Sequence, residues 1–318
     1  MSIYEFLKEK DPKEFAAGGY QLPDSGDLHL RAGEVWVPGA FEGILLRTDS
    51  RIKQHVLINY HIANVVKKQA LYPSEAHAAK LNKFLTKYSA ISLADPLCSI
   101  CVAFKLTRST EKKAALRRLA LDLVLRGEKR EPVKIGIALL GISGTPDDVE
   151  LLKPLGVHDE FTLYVVGTAV RLLNTTARNS YLLDLAENVH GWGKISILYE
   201  LDYTDPEVCL WAIKHGCENT VGLSYLSNVC ATKGKMAVVL SEMLEDRFSP
   251  EEEQALFRGI CDIFTGLLNP EEKNDGLSNY ADARIAAKHF NALCERKPDL
   301  ATSDVRTENI RSGLRFIL

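Results

Sequence analysis

At 318 residues the chain is long enough for two ordinary domains or for one continuous stack of helical repeats, and at 46% hydrophobic and 25% charged it can bury a substantial core without a disulfide framework. A net charge of -3 and a pI near 6.3 remove the global attraction that general binders of nucleic acid or anionic membrane rely on. No run approaches the 18 apolar residues of a membrane span, the opening MSIYEFLKEKDPKEF is charged rather than a secretory leader, and the seven scattered cysteines suit a reducing compartment, so the expected location is the cytoplasm.

In chain order, residues 1–49 are expected to form an N-terminal helix and an extended arm. Six glycines and two prolines between residues 18 and 43 leave no helical period, and a short strand is expected around Leu28 to Val37. Trp36 and Phe41 are the arm's apolar anchors onto the first helices. From residue 50 to 318 the pattern becomes a single all-α, helical-repeat domain. Helices are predicted over 51–70, 74–89, 95–107, 110–126, 131–143, 146–155, 159–174, 178–189, 193–201, 205–215, 218–230, 234–246, 250–267 and 278–295, followed by a polar, loosely patterned tail. Thr145-Pro146-Asp147-Asp148, Asp205-Pro206-Glu207 and Ser249-Pro250-Glu251-Glu252 each supply an N-cap oxygen, a proline at the first helical position and acids facing the positive helix end.

The turns that open every second helix fall at Glu111, Pro146, Arg178, Pro206 and Lys235, spaced 35, 32, 28 and 29 residues apart. The first helix of several pairs is apolar nearly all round, as in Val133–Ile142 and Phe161–Val170, and must be buried on more than one side. Gly136, Ala138, Gly141, Gly167 and Ala169 are expected to let neighbouring helices approach closely. On this periodicity and the Thr-Pro-Asp-Asp type of turn, residues 110 to 246 resemble the HEAT family. The resemblance implies a right-handed α-solenoid of antiparallel helix pairs that binds other macromolecules. Separately, Trp211-Ala-Ile-Lys-His-Gly-Cys-Glu-Asn219 and Tyr225-Leu-Ser-Asn-Val-Cys-Ala231 resemble segments of uncharacterised bacterial proteins, some labelled limonene hydroxylase, which implies a small-molecule enzyme. Hydroxylation normally needs haem, flavin or non-haem iron, and the residues here support no such chemistry.

No motif carries catalysis or a cofactor. Cys98-Ser-Ile-Cys101 has neither a second C-x-x-C nor a βαβ context and reads as a buried structural pair. Cys209, Cys217 and Cys230, with His215 nearby, read as core packing rather than a metal cluster. His158 and His190 recur in Gly-Val-His-Asp and Asn-Val-His-Gly junctions, where imidazole can bond orphan backbone groups at a helix end. Nucleotide-binding glycine loops and the G-x-S-x-G elbow are absent. Neither a metal nor a cofactor is therefore expected.

Between residues 105 and 134, ten bases (Lys105, Arg108, Lys112, Lys113, Arg117, Arg118, Arg126, Lys129, Arg130 and Lys134) face four acids (Glu111, Asp122, Glu128 and Glu131). Arg118, Asp122 and Arg126 nonetheless form an i, i+4 row of alternating sign, the mark of a solvated face. The candidate binding residues are Lys112, Lys113, Arg117 and Arg118 at a basic end, and Asp147, Asp148, Asp184 and Glu187 towards an acidic one. The leading expectation is a non-catalytic interaction module whose partner is a protein. A nucleic-acid-binding or DNA-glycosylase-like protein is the alternative, disfavoured by the acidic pI.

Overall fold

The computed structural model describes residues 1–11, 22–24, 36–47, 56–271 and 276–317. Every regular element among them is helical, and none of these helices is long and apolar enough to cross a membrane. The chain packs as two compact units, Met1–Ile197 and Leu198–Leu318, so the expected second domain spans both.

The first unit contains α1 (Ile3–Lys8), α2 (Ala40–Arg47), α3 (Val56–Leu71), α4 (Glu75–Leu85), α5 (Ala90–Ala103), α6 (Thr110–Arg126), α7 (Arg130–Ser143), α8 (Pro146–Leu151), α9 (Lys153–Gly156), α10 (Asp159–Leu172), α11 (Thr175–Ala186) and the start of α12 (Trp192–Glu200). Helix α7 is its centre: it packs against α5, α6 and α10, and residues 131–141 are buried without a break. That burial is why its sequence is apolar all round. Gly136 permits the approach of α6, since a methyl there would stand 2.9 Å from Leu123 Cβ. Gly167 does not serve this purpose. Nothing lies within 4 Å of the position its side chain would take, which corrects the expectation that it admits a neighbouring helix.

The second unit holds α13 (Pro206–Trp211), a π-helix (Ala212–Gly216), α14 (Ser224–Lys233), α15 (Met236–Leu244), α16 (Pro250–Leu268), a 3₁₀ turn (Leu277–Asn279), α17 (Ala283–Arg296), α18 (Pro298–Thr302) and α19 (Thr307–Leu314). Helix α16 is the element on which α14, the π-helix and α19 pack. The single helix expected over 205–215 is therefore an α-helix that widens to π. Gly259 of α16 accommodates this turn: its missing side chain leaves room for the Ile213 carbonyl, with which a methyl would collide.

The three proline starts are built as read. Thr145 and Asp148 close a capping box, the Asp205 carboxylate accepts from the Glu207 N–H, and Ser249 Oγ accepts from Glu252 N–H. Three expectations are corrected. The arm carries helix α2, and its described part lies against α7, α10 and the start of α12 rather than over the first helices. Helix α5 begins at Ala90 and runs through Pro96, because Ala90, Leu93 and Ala94 are buried and the Ala90 N–H is capped by Glu131. The polar tail forms α18 and α19, the latter burying Ile310 and Leu314. The strand expected at Leu28 to Val37 falls mostly outside the described residues; the described Trp36 and Val37 are not in a strand.

Candidate functional site: a buried charge cluster

Arg130, Glu131 and Lys134 lie within two turns of α7, and Glu160 and Tyr164 stand one turn apart on α10, so helical spacing aims five polar groups at one volume. Helix α2 adds Glu42, and the described stretch 22–24 adds Asp24. Lys134 is 1% exposed and its ammonium is 2.5 Å from Glu42, 3.0 Å from Glu131 and 2.6 Å from Glu160. Arg130 forks onto Asp24 through 3.0 Å bonds from Nε and Nη2, and its Nη1 lies 3.4 Å from Glu160.

Glu160 closes the network by accepting the Gly39 N–H at 3.1 Å, and the Tyr164 hydroxyl donates to Glu42 at 3.3 Å. Beside them the bare Cα of Gly43 lies against the Trp192 ring, where a side chain would collide. These contacts seat the N-terminal segment on α7, α10 and α12.

Taking Lys134 out of water pushes its pKa down, but the charges of Glu160, Glu131 and Glu42 outweigh burial and hold it above the ordinary lysine range. Burial pushes Glu160 up; the charges of Lys134 and Arg130, with hydrogen bonds from Lys134 and Gly39, reverse this and hold it at about 2. Glu42 goes the other way, since burial and repulsion by Glu160 and Glu131 exceed the pull of Lys134.

His158 is buried at the start of α10, pushed down to about 4 chiefly by desolvation, and its Nδ1 accepts the Glu160 N–H. This is the helix-end role its junction suggested. The next residue, Asp159, is raised to about 6 by burial even though it accepts N–H groups of Gly193 and Gly191.

Among the described residues, Glu42, Glu131 and Glu160 are the one group of three metal-ligand side chains whose donor atoms lie within 4.8 Å of one another. The Lys134 ammonium already occupies the centre of that triangle as a tethered cation. The cysteines do not converge in this way. All seven are buried thiols; Cys98 donates to the Ala138 carbonyl, Cys209 to Tyr203 and Lys233, and Cys217 to Leu223. Desolvation raises Cys98 to about 12 and Cys294 to about 11, which keeps them protonated and unreactive.

The residues singled out for binding separate into two groups. Arg117 and Asp148 pair with each other through bonds of 2.7 and 2.5 Å, with Asp148 buried, and Asp184 pairs with Lys153. Lys112, Arg118, Asp147 and Glu187 are exposed, and Lys113 is half-buried. Arg130 and Lys134 turn inward, so the basic run on α6 and α7 has less free charge than its composition suggests. Asp122 and Arg126 pair at 3.3 Å on the surface, on the rim of a cleft of about 280 Å³ floored by Leu81, Leu119 and Pro132.

The charge cluster is not legible in the sequence, where Arg130, Glu131 and Lys134 fall within a run of ten bases and four acids. Its signal was Lys134 itself, a lysine inside a helix apolar on every side, which requires a buried counter-charge. No family model, curated protein or solved structure matches the chain.

Proposed function

We propose that the chain is a non-catalytic interaction scaffold of the HEAT-like kind, whose stacked helices form a right-handed solenoid and receive another protein on their exposed faces. The observation that carries this reading is the contrast between inner and outer charges. Glu42, Glu131 and Glu160 are buried and bound to Lys134, whereas Lys112 and Arg118 of α6, Asp147 of α8 and Glu187 of α11 are exposed.

A partner with an acidic segment would meet the basic end of this row, charge setting orientation and encounter rate more than final affinity. Because Arg117 is tied to Asp148, a variant that tests docking should leave it intact. The test is recovery of bound proteins from native extract by wild type and by a folded Lys112→Glu, Arg118→Glu variant. Loss of a specific protein with the variant, and its loss from wild type as salt rises, is the expected result. A recovered profile unaffected by either change, or retention of duplex DNA in preference to protein, would overturn the proposal.

A further inference from the structure

Among the described residues, the cluster that seats the N-terminal segment holds four carboxylates, Asp24, Glu42, Glu131 and Glu160, against two cations, Arg130 and Lys134. Three of the four are saturated. Both oxygens of Asp24 accept from Arg130, those of Glu131 accept from Lys134 and the Ala90 N–H, and those of Glu160 accept from Lys134 and the Gly39 N–H. Glu42 is 3% exposed; its Oε1 meets Lys134 and Tyr164, while its Oε2 is buried with no hydrogen-bond partner among the described residues.

A cluster with two surplus negative charges and one orphaned oxygen lacks positive charge at that oxygen. A metal ion would find a single unoccupied carboxylate oxygen there, whereas hard cations need about six oxygen ligands. A proton needs only one.

We propose that this cluster is a proton-binding site: Glu42 enters it as a neutral carboxylic acid, so that seating the N-terminal segment takes up one proton from solvent. An O–H bond forms on the Glu42 carboxyl and no bond is broken. The groups that face it act in both directions. On α10, Glu160 repels the Glu42 anion, Tyr164 is a protonated donor and His158 is neutral; on α7, Glu131 repels it while Lys134 and Arg130 attract it; Asp24 adds a further negative charge from the stretch 22–24. Arg47, in the last turn of α2, is the other charged group of that helix. The balance raises Glu42 above its ordinary value. A group raised in the seated state stabilises that state fully below its free value and loses the contribution as pH rises through the seated value, so the segment is held more tightly at mildly acidic than at alkaline pH.

The experiment is hydrogen exchange of the α2 amides in the full chain at pH 6 and pH 8, corrected for intrinsic exchange, in wild type and Glu42→Gln. Gln is the uncharged analogue of the protonated acid and keeps an acceptor for Lys134. The expected result is wild-type protection that falls from pH 6 to pH 8 relative to Glu42→Gln, by up to about tenfold, and a ratio that does not change with pH, the mark of a broken ion pair, overturns the proposal. Infrared spectroscopy decides the case if Glu42→Gln does not fold. In Asp159→Asn, which removes the neighbouring raised carboxyl, a buried protonated-carboxyl stretch should be present at pH 6, above the ordinary glutamate range, and fade as pH rises, and its absence at pH 6 overturns the proposal.

Discussion

His158 and Asp159 are adjacent yet couple to protons with opposite sign. His158 falls from 6.5 to about 4 on burial, so its contribution is present above pH 6.5 and is lost as pH falls through about 4. That is a loss of about 3 kcal/mol at roughly 1.4 kcal/mol per unit. Asp159 rises from 3.8 to about 6, so its contribution is present below pH 3.8 and is lost as pH rises through about 6, again about 3 kcal/mol but in the opposite direction. Between pH 4 and 6.5 the two nearly cancel. His158→Asn keeps a capping oxygen while removing one of the two titrations. Urea unfolding at stepped pH should show the variant gaining about 2–3 kcal/mol more than wild type from pH 6.5 to 4. The slope is the readout, since packing losses shift the whole curve; parallel curves would contradict the roles given to these two groups. The helix-end role of His158 was legible from its junction, but Asp159 was not, because its partners lie more than 30 residues away at Gly191 and Gly193.

Among the elements, those whose boundaries are set locally were the legible ones. The proline starts of α8, α13 and α16 carry their own caps, and their onsets at Pro146, Pro206 and Pro250 follow from three or four residues of sequence. Elements decided by distant contacts were not legible. Helix α2 contains a glycine and a glutamate that look like loop residues until Trp192 and Lys134 are placed against them. The start of α5 waits on Glu131, and the π-turn is accommodated by Gly259. Two glycines in helices test this reading with one substitution type. Gly259→Ala drives a methyl into the Ile213 carbonyl and should destabilise the protein by about 1–3 kcal/mol. Gly167→Ala enters open space on α10 and should stabilise it by roughly 0.5–1 kcal/mol, through helix propensity alone. Thermal melts of both variants should shift in opposite directions; a shared sign would mean that the glycines do not differ in packing.

At the scale of the whole molecule, composition and helical periodicity carried the all-helical fold, because burial of an apolar stripe every 3.6 residues is written locally. The interior charge was hidden by the same averaging. A net charge of -3 conceals a lysine sealed inside the first unit and the carboxylates gathered around it from three helices. The arrangement makes Lys134 a permanent internal cation. Removing a partner from such a site typically costs about 3–5 kcal/mol, so the charge holds α2, α7 and α10 to one geometry only while it stays ionised. The direct measurement is nitrogen-15 NMR of the lysine ammonium groups across an alkaline titration, with Lys134→Met to assign the signal. The account predicts one slowly exchanging ammonium resonance, missing from the variant, that stays protonated after the surface lysines have titrated. A Lys134 signal that exchanges as fast as the others, or titrates with or before them, would contradict it.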